Sequence, residues 1–424
     1  MTPTAVNTRF LATHVMYQVV AKQQHLKSAL QHTLNPNSGK LNVTKQEQAW
    51  VQNICYQCLR HHHNLSARWL KFTEKPPKDK MLCELLTLSM AQKLHLNTPD
   101  HAIVNEAIKT AKKLKKHWAS GLLNKILRLA LNDTSFESNV ETIIHSHPQW
   151  WIDLLKKDWP NHWQKILHAN NQKPPLWVRV YDPKLDLNGF QHPQLKNAWR
   201  LTDTQTSSNS ELNEGRLSVQ DAAAQYAAHL LNPQAGEKIL DACAAPGGKS
   251  CHLLELQPLI KLDILEKESH RLKLIKSNLS RLKLNANRLI EGDATLPKTW
   301  FKGAKYDKIL LDVPCSAAGV VRRNPDIKIL RQPQHIKKLT DLQQQILLKM
   351  ADLVKIGGLI LYATCSVFRS ENERQVKKFL QKHPNFKAIN TDIPSAEECL
   401  WGKQIITGHD EMDGFFYCLL ERVA

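Results

Sequence analysis

Two thiols each close a short apolar run. Cys315 follows Ile309-Leu310-Leu311 within Asp312-Val313-Pro314-Cys315-Ser316, and Cys365 follows Leu359-Ile360-Leu361 within Ala363-Thr364-Cys365-Ser366. Apolar runs of this length, bounded by Pro, Gly and polar residues, read as buried strands of a parallel sheet, and such sheets present their working groups beyond the strands' carboxyl ends. Both sulfurs are then expected in one crevice. Taken alone, two free cysteines fit small buried hydrophobes equally well. What adds chemistry is Ala244-Ala245-Pro246-Gly247-Gly248-Lys249, which follows Glu237 to Asp241 as a tight loop between a strand and a helix. Paired glycines let a ligand approach the backbone, and the helix start behind them attracts a negative group such as a carboxylate.

Three carboxylates stand after successive apolar runs: Glu266 after Leu262 to Leu265, Asp293 after Leu289-Ile290, and Asp312 after Ile309 to Leu311. Singly each is a weak signal, but their recurrence at successive strand ends makes a set. A nicotinamide-dependent dehydrogenase would use a similar sheet, yet its Gly-x-Gly-x-x-Gly fingerprint is missing from residues 241–250.

The elements that must carry these groups divide the chain. At 424 residues it exceeds one ordinary core. From Thr8 to about Asn132 apolar residues recur at helical spacing (Leu11, Val15, Val19; Val51, Ile54, Cys55, Cys58, Leu59; Leu82, Leu85, Leu86), which predicts an all-helical domain of five or six helices. Residues 145–181 hold five of the eleven tryptophans, at Trp150, Trp151, Trp159, Trp163 and Trp177. Aromatic faces can stack on unpaired bases, but the spacing here favours a packed helix face for most of them. Leu176 to Val180 reads as a strand with Arg179 facing away from its apolar neighbours. Thr202 to Gly215, with Ser207-Ser208-Asn209-Ser210, reads as a flexible connection. From residue 215 onward strands and helices alternate, the pattern of a doubly wound α/β sheet. The expected division is 1–138 all-α, 139–214 a small α+β segment with a linker, and 215–424 a Rossmann-like domain.

Charge points to an acidic partner. The formal net charge is +19, and residues 1–140 hold 19 basic against 8 acidic side chains, or +11; nucleic acid is the commonest partner of such a surface. Lys112, Lys113, Lys115 and Lys116, expected side by side on a helix, are the candidate contact. Nine cysteines without a recognisable secretory signal suggest a reducing, cytoplasmic setting. No apolar run approaches the roughly 20 residues a membrane helix needs. Cys55-Tyr56-Gln57-Cys58 with His61-His62-His63 invites a zinc reading, but a matching second thiol pair is missing. Core packing of the two cysteines is expected instead, with no metal.

Leu240 to Ser250, Leu311 to Lys328 and Leu361 to Val367 closely resemble the ligand loop and two cysteine motifs of the bacterial RsmB-type (Fmu/Sun) ribosomal RNA methyltransferases. The likeness extends to Asn170 to Trp177 and to Asp413-Gly414-Phe415-Phe416-Tyr417. It implies a NusB-like RNA-binding first domain, a small RNA-contacting domain in which Arg179 is the candidate, and a monomeric enzyme acting on 16S ribosomal RNA or an early small-subunit particle. The implied reaction moves a methyl group from S-adenosylmethionine to C5 of a cytosine. By this resemblance Cys243, Ala244, Ala245, Pro246, Gly247, Gly248 and Lys249 line the cofactor loop. Glu266 accepts the ribose hydroxyls, Asp293 the adenine amine, and Asp312 stands beside the methionine end and the base. Cys365 is the implied nucleophile at cytosine C6 and Cys315 the implied agent of product release. Asp312 and Lys249 steady charge on the base, while Arg322, Arg323 and Lys328 meet phosphates. The target base must be unpaired or flipped out, because C6 is inaccessible in a stacked helix. Val313, Ala318 and Asn324 depart from the family's usual Ala, Thr and His. DNA cytosine methyltransferases, which use a Pro-Cys thiol, are the alternative, but their Glu-Asn-Val motif is missing.

Overall fold

The structure, a computed structural model, describes residues 7–35, 43–182, 184–202 and 209–424. The chain forms two compact units, residues 1–172 with 321–331, and residues 173–320 with 332–424.

The first unit is helical: α1 (Thr8–Val20), α2 (Leu26–Leu34), α3 (Lys45–Arg60), α4 (His62–Leu70), α5 (Lys80–Leu96), α6 (Asp100–Lys113), α7 (Ser120–Asn132), α8 (Glu141–Ile144), α9 (Gln149–Asp158) and α10 (Trp163–Asn170). Side-chain caps set several starts. Asn7 accepts the Phe10 N–H at α1, and Thr44 with Glu47 closes a reciprocal capping box at α3. Every residue of α5 from Leu82 to Gln92 is buried, so α5 is the axis on which the other helices pack. Seven α-helices precede Asp133 among the described residues, against the five or six expected. The apolar pattern runs on past His61, where the backbone leaves the helical region (φ −119°, ψ 20°) and separates α4 from α3. Cys55 and Cys58 are 0% exposed in that core, so burial pushes both thiols well up and packing accounts for them. Trp151 and Trp159 are likewise buried here, as is Trp177 in the second unit.

The lysine cluster differs from expectation. Helix α6 ends at Lys113, Lys115 adopts a left-handed φ of 61°, and the Lys116 ammonium pairs with Asp79. Lys112, Lys113 and Lys115 stay exposed around a helix terminus rather than along a helix face. Cations there also complement the helix dipole.

The second unit begins with an antiparallel sheet of β1 (Leu176–Val180), β2 (Gly189–Gln191), β3 (Ala198–Leu201) and β4 (Leu217–Val219), in the order β2-β3-β1-β4. Within the Thr202 to Gly215 connection, 203–208 lie outside the described residues and Asn209–Asn213 form a short helix, α11. Helix α12 (Ala222–Leu231), capped by the Asp221 side chain, leads into alternating elements. These are β5 (Lys238–Asp241), α13 (Gly248–Leu256), β6 (Lys261–Glu266), α14 (Ser269–Arg281), β7 (Arg288–Glu291) and β8 (Tyr306–Asp312). The chain then contributes 321–331, with its one-turn helix α15 (Ile327–Leu330), to the first unit. It returns as α16 (Pro333–Ala351), β9 (Val354–Thr364), α17 (Glu373–Lys382), β10 (Phe386–Ile389), β11 (Glu397–Glu398), β12 (Lys403–Ile405) and β13 (Phe415–Arg422). The large sheet runs β11-β12-β13-β9-β8-β5-β6-β7, with β10 on β13. Neighbours from β9 to β7 are parallel, whereas β13 is antiparallel to β9. Chain order reverses between β5 and β8, which puts the crevice of such a sheet beyond the carboxyl ends of those two strands. No helix among the described residues is long and apolar enough to cross a membrane.

The excursion 321–331 is built into the first unit. Leu330 joins its hydrophobic core, the Asp326 carboxylate accepts the Leu26 N–H at the start of α2 (3.2 Å), and an Arg60 guanidinium N–H donates to the Arg322 carbonyl (3.2 Å). Lys328 is 0% exposed and donates to the Arg60 carbonyl (2.5 Å) and Asn171 Oδ1 (2.6 Å). Burial first, and the Arg60 charge second, lower its ammonium well below the usual lysine range. The expectation that Lys328 and Arg322 meet phosphates is therefore corrected: both are buried, Arg322 at 2% exposure. Of the three, Arg323 alone keeps part of its surface.

Candidate functional site

The ligand loop is held from three sides. Gly247 takes a left-handed φ of 95°, and a Cβ there would press on Ile275 at 3.2 to 3.4 Å. At Gly248, the first residue of α13, a Cβ would meet nothing nearer than Gln220 Nε2 at 3.7 Å, so the backbone is open to an approaching group. Glu266, at the end of β6, accepts the Ala245 N–H (3.1 Å) and the Glu268 N–H (3.1 Å), while Arg271 donates to the Ala245 carbonyl (2.9 Å) and Asn278 to the Pro246 carbonyl (2.9 Å). Arg271 also reaches Glu266 Oε1 at 3.5 Å, so of the roughly four lone-pair sites of the carboxylate three are used, and Oε2 keeps capacity for a ligand.

Arg179 performs a different task from the one expected. It is 1% exposed, and its guanidinium donates to both oxygens of Glu255 on α13 (2.5 and 2.8 Å), to the Gly248 carbonyl (3.1 Å) and to Gln220. Alternation along β1 did turn Arg179 away from its apolar neighbours, but that face is covered rather than solvated. It braces the ligand loop and is not a nucleic-acid contact.

At the end of β5, Asp241 is 1% exposed. Its Oδ2 accepts the Ser250 hydroxyl (2.6 Å), the Cys243 backbone N–H favours the carboxylate from the loop, and Oδ1 has no partner of full hydrogen-bond geometry. Burial raises its pKa to about 7, and the nearby Asp312 pushes the same way against the Ser250 bond. Asp241 was missed from sequence, although it ends its strand as Glu266 and Asp312 end theirs.

Asp293, just beyond β7, accepts the Thr295 N–H (2.8 Å) and hydroxyl (2.7 Å) on one oxygen and pairs with Lys267 (2.9 Å) on the other. Burial raises its pKa, but the Lys267 and Thr295 bonds outweigh that, and the carboxyl sits below the usual range. The Lys267 side chain is 66% exposed and reaches that outer oxygen from solvent.

The two thiol loops meet at the ends of β8 and β9. Val313 N–H bonds the Ala363 carbonyl (3.1 Å), Gly319 N–H bonds the Cys365 carbonyl (2.9 Å), and the sulfurs of Cys315 and Cys365 are 3.4 Å apart, both part-exposed. The contact with Cys365, and then burial, push the Cys315 pKa well up, and either sulfur can donate across the contact. Alongside, Lys249 Nζ lies 2.6 Å from Asp312 Oδ2 and 5.0 Å from the Phe415 ring centre. Burial works to lower the Lys249 pKa, but Asp312 more than offsets it, and the ammonium holds its proton. Val313 (3%) and Ala318 (0%) are buried, so two of the three departures from the family's usual residues alter packing behind the loop. Sequence reasoning also missed the buried Glu371 beneath both loops, and Trp118, 68% exposed two residues after the lysine cluster.

Residues 228–421 match the model of the 16S rRNA methyltransferase RsmB/F family, 6–132 that of the NusB family, and 147–191 that of an RsmF/B-like ferredoxin-like domain. The chain is 38% identical to the ribosomal RNA small subunit methyltransferase B of Vibrio cholerae, over 98% of each protein. In fold it resembles the solved PH0851 (TM-score 0.79, 21% identity, 99% of this chain and 100% of that one). It also resembles NSun6 from Pyrococcus horikoshii with SFG (TM-score 0.59, 19% identity, 66% of this chain and 100% of that one).

Proposed function

Because the chain belongs to the 16S rRNA methyltransferase RsmB/F family, we propose that it methylates C5 of a cytosine in 16S rRNA, using S-adenosylmethionine and a covalent Cys365–C6 adduct. The observation that carries this reading is the pair of sulfurs 3.4 Å apart with the Lys249–Asp312 pair beside them. Cytosine C5 becomes nucleophilic only after conjugation is broken, and a thiolate adding at C6 does this. As the Cys365 S–C6 bond forms, the ring's π pair moves toward C5 and N3; the Lys249 ammonium can donate to N3 as its charge grows, and the Asp312 carboxylate can accept from the N4 amine. S-adenosylmethionine, when bound, supplies the electrophilic methyl that C5 takes. The C5 proton then leaves to a base and the S–C6 bond breaks, a release in which Cys315 takes part.

The loop fits such a donor. Asp241 Oδ1, with no partner of full hydrogen-bond geometry, is the acceptor that an ammonium completes, Gly248 leaves the backbone open, and Glu266 and Asp293 offer acceptors farther along. The holding residues would be Asp241, Cys243 to Lys249, Glu266, Asp293 and Asp312. RNA would be met by Lys112, Lys113, Lys115 and Arg323, with Trp118 available for stacking. The test is to treat 16S rRNA from a strain lacking the gene with the purified protein and methyl donor, then sequence after bisulfite. One newly protected cytosine is expected; none, despite methyl incorporation, would overturn C5 as the target.

Asp241→Asn separates donor binding from stability. A buried carboxyl raised from 3.8 to about 7 holds its proton in the native state, so stability is lost progressively as pH rises between those values. Without donor, Asp241→Asn should therefore gain on the parent as pH rises, by on the order of 2 kcal/mol between pH 5 and pH 8. Donor affinity should meanwhile weaken roughly tenfold or more, the loss of a charged hydrogen bond. A melting difference that is constant with pH, or unchanged calorimetric affinity, counts against this role.

A further inference from the structure

We propose that Glu371 is the positioning residue that sets the two thiols against each other. Each catalytic cysteine is followed by a buried serine, and one carboxylate binds both. Glu371, 0% exposed, accepts the Ser316 hydroxyl (2.5 Å) and the Ser366 hydroxyl (2.6 Å) on Oε2, and the Ser316 N–H (2.7 Å) and Gln343 Nε2 (3.1 Å) on Oε1. Four donors fill the lone-pair sites of one carboxylate, and the two O–H bonds have the short lengths of charge-assisted ones. Each serine oxygen in turn accepts a backbone N–H of its own loop, Ala318 for Ser316 (3.2 Å) and Phe368 for Ser366 (3.1 Å). Gln343 also donates to the Pro314 carbonyl (2.9 Å), and the Tyr362 hydroxyl donates to the Glu371 carbonyl (2.7 Å). The next residue, Asn372, accepts the Thr364 hydroxyl (2.6 Å) and donates to the Ser366 carbonyl (3.0 Å), gripping the second loop again.

This clamp joins loops from two strands one residue away from each sulfur. Burial raises the Glu371 pKa, yet the bonds from Ser316, Ser366 and Gln343 act to keep its charge. A carboxylate so enclosed cannot reach a base on the RNA, so its effect on chemistry passes through the serines. Glutamine in its place has one acceptor oxygen for donors that use two. Aspartate keeps the charge but is one methylene short of spanning both loops.

The inference rests on the proposed thiol reaction for its consequence, but its geometry can be tested without that reaction. Diamide, a two-electron oxidant, removes one hydrogen from each of two thiols, joining the sulfurs and becoming the hydrazine. In the parent it should give a Cys315–Cys365 disulfide, read as a linked peptide pair by mass spectrometry. Glu371→Gln should slow this linkage roughly tenfold, the worth of a lost charged hydrogen bond. Ser316→Ala and Ser366→Ala should each slow it less, and the double serine variant should match Glu371→Gln. Turnover should fall with KM for RNA and methyl donor unchanged. If Glu371→Gln fails to fold, the two serine variants decide. Unchanged linkage rates in folded variants, or no linkage in the parent, would overturn the clamp. Slowed linkage with turnover intact would uphold the clamp and instead sink the thiol mechanism.

Discussion

Cys365→Ala is expected to bind methyl donor and RNA but to form no covalent protein–RNA adduct, with turnover falling by roughly four orders of magnitude or more, the scale seen when a covalent nucleophile is removed. Cys315→Ala is expected to do the opposite. It should attack and methylate once, release product poorly, and accumulate a protein–RNA species that survives denaturing electrophoresis. The unequal roles are those the family resemblance implies; in the structure the two sulfurs lie 3.4 Å apart, close enough to share one proton between them. A protonated thiol cannot attack but can donate, and a thiolate serves attack best. The double variant should behave as Cys365→Ala does, since release has no meaning when attack never occurs. An adduct that appears in Cys365→Ala, or that requires Cys315, would exchange the two roles and favour the mechanism of the DNA enzymes.

The second large effect is on stability. Arg179→Ala leaves Glu255, its side chain 4% exposed, as an uncompensated buried charge and frees the Gly248 carbonyl. Breaking a buried pair from one side typically costs about 3–5 kcal/mol, so the variant should melt well below the parent and bind methyl donor weakly. Replacing both partners, Arg179→Leu with Glu255→Leu, should recover most of the melting temperature without restoring the brace on the loop. The salt dependence of RNA binding should not change in either variant. A flatter salt slope for Arg179→Ala would return this residue to the nucleic-acid surface.

Much of the site was legible because strand ends can be read from short apolar runs. Glu266, Asp312, Cys315 and Cys365 each follow one, and the structure brings the loops of the last three together at neighbouring strands. Asp293 stands just past β7. What escaped reading is what burial decides. Arg179 and Lys328 are charged, and a pattern of apolar spacing assigns charged residues to the surface; the partners that bury them, Glu255 for one and two oxygen acceptors for the other, lie 76 and more than 150 positions away. Glu371 escaped for the same reason, since its bonds to Ser316 span 55 positions. Lys115 shows a local limit, because a left-handed residue ending α6 leaves no signature in a run of lysines.

The excursion of residues 321–331 also fixes a schedule. A chain emerging from the ribosome displays α1 to α10 first, yet the acceptor at the start of α2, the apolar Leu330 and the partner of the Arg60 guanidinium arrive only with residues 322–330. At about 5–20 residues per second of synthesis, the interval between residue 172 and residue 331 is on the order of ten to thirty seconds. During that time the helical unit waits with part of its interior open, and it closes only after the glycine loop and the first thiol have been made. A gene cut after residue 172 would express a permanently unfinished version of that waiting state.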